Sequence, residues 1–154
     1  MIRDSAIYEK YCHAHDMNGT SAKREANMYR VLIVEDDSIM QKTLRDSLKP
    51  EGYEVLLAVD GKTALRMAPQ DKPDIILLDV HLPDIGGVEV CRALKADPVT
   101  KHIPILILTG QAREITARVA GLEGGADDYL FKPISPRVLV SRIRSILKIN
   151  TGPT

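Results

Sequence analysis

The sequence predicts an α/β fold, a parallel five-stranded sheet doubly wound by helices, and three observations carry that prediction. Short apolar runs recur five times from Tyr29 onward. Segments with apolar residues three and four apart separate them, as in helices with one buried stripe. The runs themselves do not alternate polar with apolar, so they read as strands covered on both faces. Right-handed crossovers then place helices on either side of the sheet.

The elements follow in order. Val31 to Val34 is the first strand; Met40, Leu44 and Leu48 mark the first helix, with Ser38 as its cap and Pro50 and Gly52 at its end. Val55 to Val59 is the second strand, and Leu65 and Ala68 stripe the helix behind it. Ile75 to Leu78 is the third, followed by a helix with Val88, Cys91 and Leu94 on its inner face. Ile105 to Leu108 is the fourth, followed by Ile115, Val119 and Leu122, with Gly124-Gly125 as a stop. Tyr129 to Phe131 is the fifth, and a last helix capped by Ser135 buries Leu139, Ile143, Ile146 and Leu147.

A chain of 154 residues supports one domain that buries about 70% of its unfolded surface. That domain is expected over residues 29–148, after a polar leader or linker at 1–28, partly disordered, and before a tail at 149–154. Lys plus Arg equal Asp plus Glu at 21 each, so no global charge draws the chain to nucleic acid or to an anionic membrane. No apolar stretch approaches the ~20 residues of a membrane span, and the start Met1-Ile2-Arg3-Asp4 is unlike a secretory signal, so a cytoplasmic location is expected. Cys12 and Cys91 imply no disulfide framework. Cys12, His13 and His15 resemble metal ligands, but a closed zinc site takes four and the leader supplies no later pair at finger spacing.

Charge is therefore informative only locally. Asp79 ends the apolar run Asp74-Ile75-Ile76-Leu77-Leu78, where a carboxylate is costly unless something uses it. Glu35 and Asp36 end the first strand, Thr109 ends the fourth, and Lys132-Pro133 follows the fifth. Ligands of open α/β sheets bind beyond the carboxyl ends of strands where strand order reverses. In one common doubly wound order, 2-1-3-4-5, that point falls between strands one and three, and there the three acids would converge. Singly, each acid has a plainer role as a helix cap or turn former. Together they repel, raise one another's pKa, and call for an oxygen-ligated cation such as Mg2+ that completes its shell with water or phosphate. Thr109 offers a hydroxyl and Lys132 an ammonium to such a phosphate.

The chain resembles a response regulator receiver domain from Tyr29 to about Lys148. Val34-Glu35-Asp36-Asp37, Leu78-Asp79-Val80-His81-Leu82-Pro83 with Gly87, Leu108-Thr109-Gly110, Gly125-Ala126-Asp127-Asp128-Tyr129, and Lys132-Pro133 carry the resemblance. It implies a flavodoxin-like (βα)5 sheet in the order 2-1-3-4-5. It also implies that Asp79 accepts a phosphoryl group from the phosphohistidine of a sensor histidine kinase or a histidine phosphotransfer protein. Asp36 and Asp79 would then bind Mg2+, or Mn2+, through side chains, His81 through its backbone carbonyl, and Glu35 mainly through water. Lys132 would pair with the phosphoryl group, its bond to Pro133 would be cis, and Thr109 and Tyr129 would form a switch pair. His81 and Gln111 would flank the attacking water and tune the phosphoryl lifetime. Arg118, Asp127, Asp128 and Arg142 match positions through which dimerising members pair, with Asp128 reaching across to Arg142. Gly86 departs from the family, which usually carries an acidic or polar residue there, and His81 stands where Asn or Met is common.

Three other readings compete. A haloacid-dehalogenase-like phosphatase needs a second aspartate two residues after the first, where His81 stands. A flavodoxin-like cofactor binder needs a phosphate-cradling loop after strand one, where Glu35-Asp36-Asp37 would repel phosphate. A degenerate, phosphorylation-independent receiver acting as a protein-binding module is disfavoured because no key residue is missing. Residues 149–154 are too few for an output domain, so the expected downstream partner is a separate protein or an output domain outside this sequence.

Overall fold

In the computed structural model, which describes residues 29–110 and 125–148, all five apolar runs become parallel strands. They are β1 (Arg30–Val34), β2 (Glu54–Ala58), β3 (Ile75–Asp79), β4 (Ile105–Thr109) and β5 (Asp128–Phe131), in the spatial order β2-β1-β3-β4-β5. Each boundary lies within a residue or two of the expected one. The helices are α1 (Ser38–Leu48), α2 (Gly61–Asp71), α3 (Gly87–Ala96) and a C-terminal helix (Pro136–Leu147). The helix expected around Ile115, Val119 and Leu122, together with Gln111, Arg118, Cys12, His13 and His15, lies outside the described residues.

The period of two along each strand divides the core. Leu32, Val34, Ile76, Leu78, Ile105 and Ile107 face α2 and α3, whose Ala64, Ala68, Val90, Cys91 and Leu94 cover them. Val31, Ile33, Ile75, Leu77, Leu106 and Leu108 face α1 and the C-terminal helix, through Leu44, Leu48, Leu139 and Ile143. Complete burial holds for β3 and β4 and for β1 beyond Arg30, but β2 and β5 are edge strands with partly open residues. Val59, expected inside the second strand, lies past its end and is exposed.

Helix ends follow their capping chemistry. Asp37, rather than Ser38, caps α1 by accepting from the Met40 N–H, while Ser135 caps the C-terminal helix as expected, accepting from Val138. After α1 a 3₁₀ turn, Lys49–Glu51, contains Pro50 and stops at Gly52, whose φ of 94° favours glycine. Gly87 has another reason. A Cβ there would run into the carbonyl oxygen of Asp79, so only glycine lets α3 start this close to the end of β3.

Candidate functional site

Parallel strands bring all their carboxyl ends to one edge, and the three acids meet there. One carboxylate oxygen each from Glu35, Asp36 and Asp79 lies within 4.8 Å of the others. Glu35 and Asp79 are 2% and 4% exposed, whereas Asp36 opens to solvent. Lys132, beyond β5, reaches over with its Nζ 2.8 Å from Asp79 Oδ1 and 3.6 Å from Glu35 Oε1. Three carboxylates against one ammonium leave a formal charge of −2.

Backbone contacts hold the strand ends that carry Glu35, Asp79 and Lys132. The Glu35 N–H donates to Ala58 on the neighbouring strand, its carbonyl accepts from Gln41 Nε2 at 2.6 Å, and its Oε2 accepts from the Asp37 N–H. Val80, just past Asp79, donates to Leu108, and the Lys132 N–H donates to the carbonyl of Thr109 at 2.7 Å. The bond from Lys132 to Pro133 is cis. Thr109 is fully buried at the end of β4, beside the exposed Gly110.

Burial, aided by the charge of Asp79, holds the Glu35 carboxyl above its ordinary pKa. Burial likewise raises Asp79, and the Lys132 hydrogen bond offsets it only in part. Burial alone would lower Lys132; its bond to Asp79 and the charges of Asp79 and Glu35 outweigh that and raise it. Glu35 Oε1 is buried and accepts no hydrogen bond. A buried oxygen with no hydrogen bond, only the Lys132 ammonium 3.6 Å away, beside two other carboxylates in a group of formal charge −2, suits a divalent cation.

The β4–β5 register pairs Ile107 with Tyr129 and Thr109 with Phe131, so Thr109 and Tyr129 share a sheet face two positions apart. The Tyr129 ring packs edge-on against Phe131 with centroids 5.7 Å apart. Asp127 and Asp128 are already engaged within the chain. Asp127 accepts from the Ile105 N–H and lies near Lys95 Nζ, and Asp128 accepts from Arg142 Nη1 at 2.7 Å. His81 is exposed in the loop after β3, and its charge acts on Asp79.

Sequence reading missed Gln41, whose amide holds the Glu35 backbone, and Asp84, whose carboxylate accepts from the N–H groups of Gly61 and Lys62 at 2.8 and 2.9 Å. Burial would raise Asp84, but those two N–H groups and two in its own loop hold it down at about 2. The only local signal was an acid between Pro83 and Ile85. Its partners lie more than twenty residues away.

Comparison with known proteins agrees with this architecture. The chain is 47% identical over 119 residues to the response regulator PleD of Caulobacter vibrioides, covering 77% of this chain and 26% of that protein. It is 44% identical over 122 residues to the response regulator MprA of Mycolicibacterium vanbaalenii, covering 79% of this chain and 52% of that one. It thus spans between a quarter and a half of these relatives. A crystal structure of a putative response regulator from Chloroflexus aurantiacus superimposes with a TM-score of 0.75 at 42% identity, covering 79% of this chain and 98% of that one. The receiver domain of the sensor histidine kinase PA1611 from Pseudomonas aeruginosa, which holds a magnesium ion in its active-site cleft, gives 0.72 at 30% identity, with 79% and 98% covered. The family model of the response regulator receiver domain matches residues 31–144, a span that contains every acid, the threonine and the lysine of the site. On that match and on the shared strand order, this chain belongs to the response regulator receiver domains of two-component systems.

Proposed function

We propose that the domain is a phosphorylation-activated switch in which Asp79 accepts a phosphoryl group from a kinase or phosphotransfer phosphohistidine. The observation that carries this reading is the ammonium of Lys132, held 2.8 Å from Asp79 inside a cluster of three carboxylates. Glu35, Asp36, Asp79 and the backbone carbonyl of His81 would hold Mg2+, which supplies charge neutralisation to the transferred group. An oxygen of Asp79 attacks phosphorus, the phosphorus–nitrogen bond breaks, and the imidazole nitrogen keeps the electron pair. No general base is needed, because the ionised carboxylate is already the nucleophile. Lys132 and the Thr109 hydroxyl take up phosphoryl oxygens, since this chemistry asks chiefly for positioning and charge compensation.

A hydroxyl drawn toward the phosphoryl group leaves room for the Tyr129 ring, and the surface around β5 and the C-terminal helix changes with it. The domain acts on itself and turns over no separate substrate. Its setting would be the cytosol; among the described residues no helix is long and apolar enough to cross a membrane.

The test is labelling with a small phosphodonor. Wild type incorporates base-labile phosphate only with Mg2+ or Mn2+, Asp79→Asn incorporates none, and Asp36→Ala loses both metal binding and labelling. Full labelling in excess chelator, or persistent labelling of Asp79→Asn, overturns the reading.

A further inference from the structure

The loop between β3 and α3 is pinched at its two ends. The Val80 N–H donates to Leu108, and Gly87 donates back to the Val80 carbonyl at 2.8 Å, so residues 81–86 form a loop between two fixed points. Leu82 and Ile85 rest against the core on the α2–α3 face. The loop enters α3 through Gly86, which supplies no side-chain cap.

The carboxylate that the loop does carry, Asp84, is bound elsewhere. Its two oxygens accept separately from the first two N–H groups of α2, Gly61 and Lys62. The α2 side of the junction is shaped for this contact. A Cβ on Gly61 would stand 2.8 Å from Val90 Cγ2, 3.1 Å from Ile85 Cβ and 3.3 Å from Asp84 Oδ1, so a glycine at the head of α2 permits the approach. The helix has another cap of its own, because Asp60 accepts from the Thr63 N–H at 2.8 Å.

We infer that Asp84 is a positioning residue for the cation: by tying the β3–α3 loop to the head of α2, it fixes the loop whose His81 carbonyl is one of the proposed ligands. The inference rests on the proposed reading of that cluster as a Mg2+ site. Tethering reduces the freedom that the loop must lose when its carbonyl becomes a ligand, so the tie strengthens metal binding without touching the metal. Linkage makes the effect reciprocal: bound Mg2+ must in turn steady the Asp84 junction.

Two caps on one helix provide the control. Mg2+ is titrated calorimetrically into wild type, Asp84→Ala, Asp84→Asn and Asp60→Ala, and each Tm is recorded without metal. Asp84→Ala is expected to weaken Mg2+ binding about 5- to 10-fold, and Asp84→Asn, which keeps one acceptor oxygen, to fall between it and wild type. Asp60→Ala, which removes a cap of α2 without touching the loop, is expected to lower Tm yet leave Mg2+ affinity unchanged. In wild type, saturating Mg2+ should slow hydrogen exchange at Gly61 and Lys62 more than at Thr63. Unchanged affinity in both Asp84 variants, or equal weakening in Asp60→Ala, overturns the inference and leaves Asp84 a helix cap. A wild type that binds no Mg2+ overturns the reading of the acid cluster and this inference with it.

Discussion

At the scale of single residues, the acid cluster stores an electrostatic cost. Burial keeps the carboxyls of Glu35 and Asp79 above their ordinary range in the fold, so the folded chain retains protons that the unfolded chain has already released. Stability without metal should therefore fall as pH rises from about 4, the unfolded carboxylate range, through the raised values. Asp79→Asn removes one of these two buried charges and should raise Tm at neutral pH, whereas Mg2+ should stabilise wild type much more than this variant. Thermal melts at pH 5 and pH 8, with and without Mg2+, check both; a wild type equally stable at both pH values without metal would contradict the cause. The phosphoryl lifetime belongs to the same scale. His81→Ala and Gln111→Ala should each change dephosphorylation about 10-fold, about 1.4 kcal/mol of barrier, with the fold intact. Unchanged decay in both removes these side chains from the hydrolytic step.

At the scale of elements, close approach decides what is tolerated. Gly87→Ala sets a methyl group against the Asp79 carbonyl and within 2.9 Å of Val80 Cα, backbone atoms that cannot swing aside. It should cost about 1–3 kcal/mol, read as a lower denaturant midpoint at constant m, and should slow phosphorylation because Asp79 itself must shift. Much of this level was legible beforehand. The central strands announced themselves because burial on both faces leaves an unbroken apolar run, and Glu35, Asp36, Asp79, Thr109 and Lys132 were legible because each follows such a run. The edges were less so: β2 and β5 have one side partly open, and Val59 read as strand though it lies beyond the ladder. Within Asp36-Asp37-Ser38 any residue has capping chemistry, and the point where β1 ends settles the choice on Asp37. The ties from Asp84 to α2 and from Lys95 to Asp127 join residues 22 to 32 positions apart, which no local spacing reveals.

At the scale of the whole molecule, the surface around β5 is where a changed site would be read. Asp128, proposed to pair with Arg142 of a second copy, holds Arg142 of its own chain, and both groups are partly exposed. An exposed pair contributes only about 0.2–1 kcal/mol, so exchanging the internal partner for an external one costs little and gains little. Beryllofluoride-activated protein should therefore sediment as a weak, salt-sensitive dimer, and Arg142→Glu as a monomer. Monomers in both at high concentration would instead assign this face to another protein. Because all five strands are parallel, the chemistry lies at their carboxyl edge. The first strand begins at Arg30, beside Asp74 on the opposite edge, and the C-terminal helix runs back from Ser135 toward that edge, where Arg144 meets Glu51 at the foot of α1. The described chain thus carries its acid cluster on one rim and its two ends toward the other. A change at the acid cluster reaches either end of the described chain only through the body of the sheet.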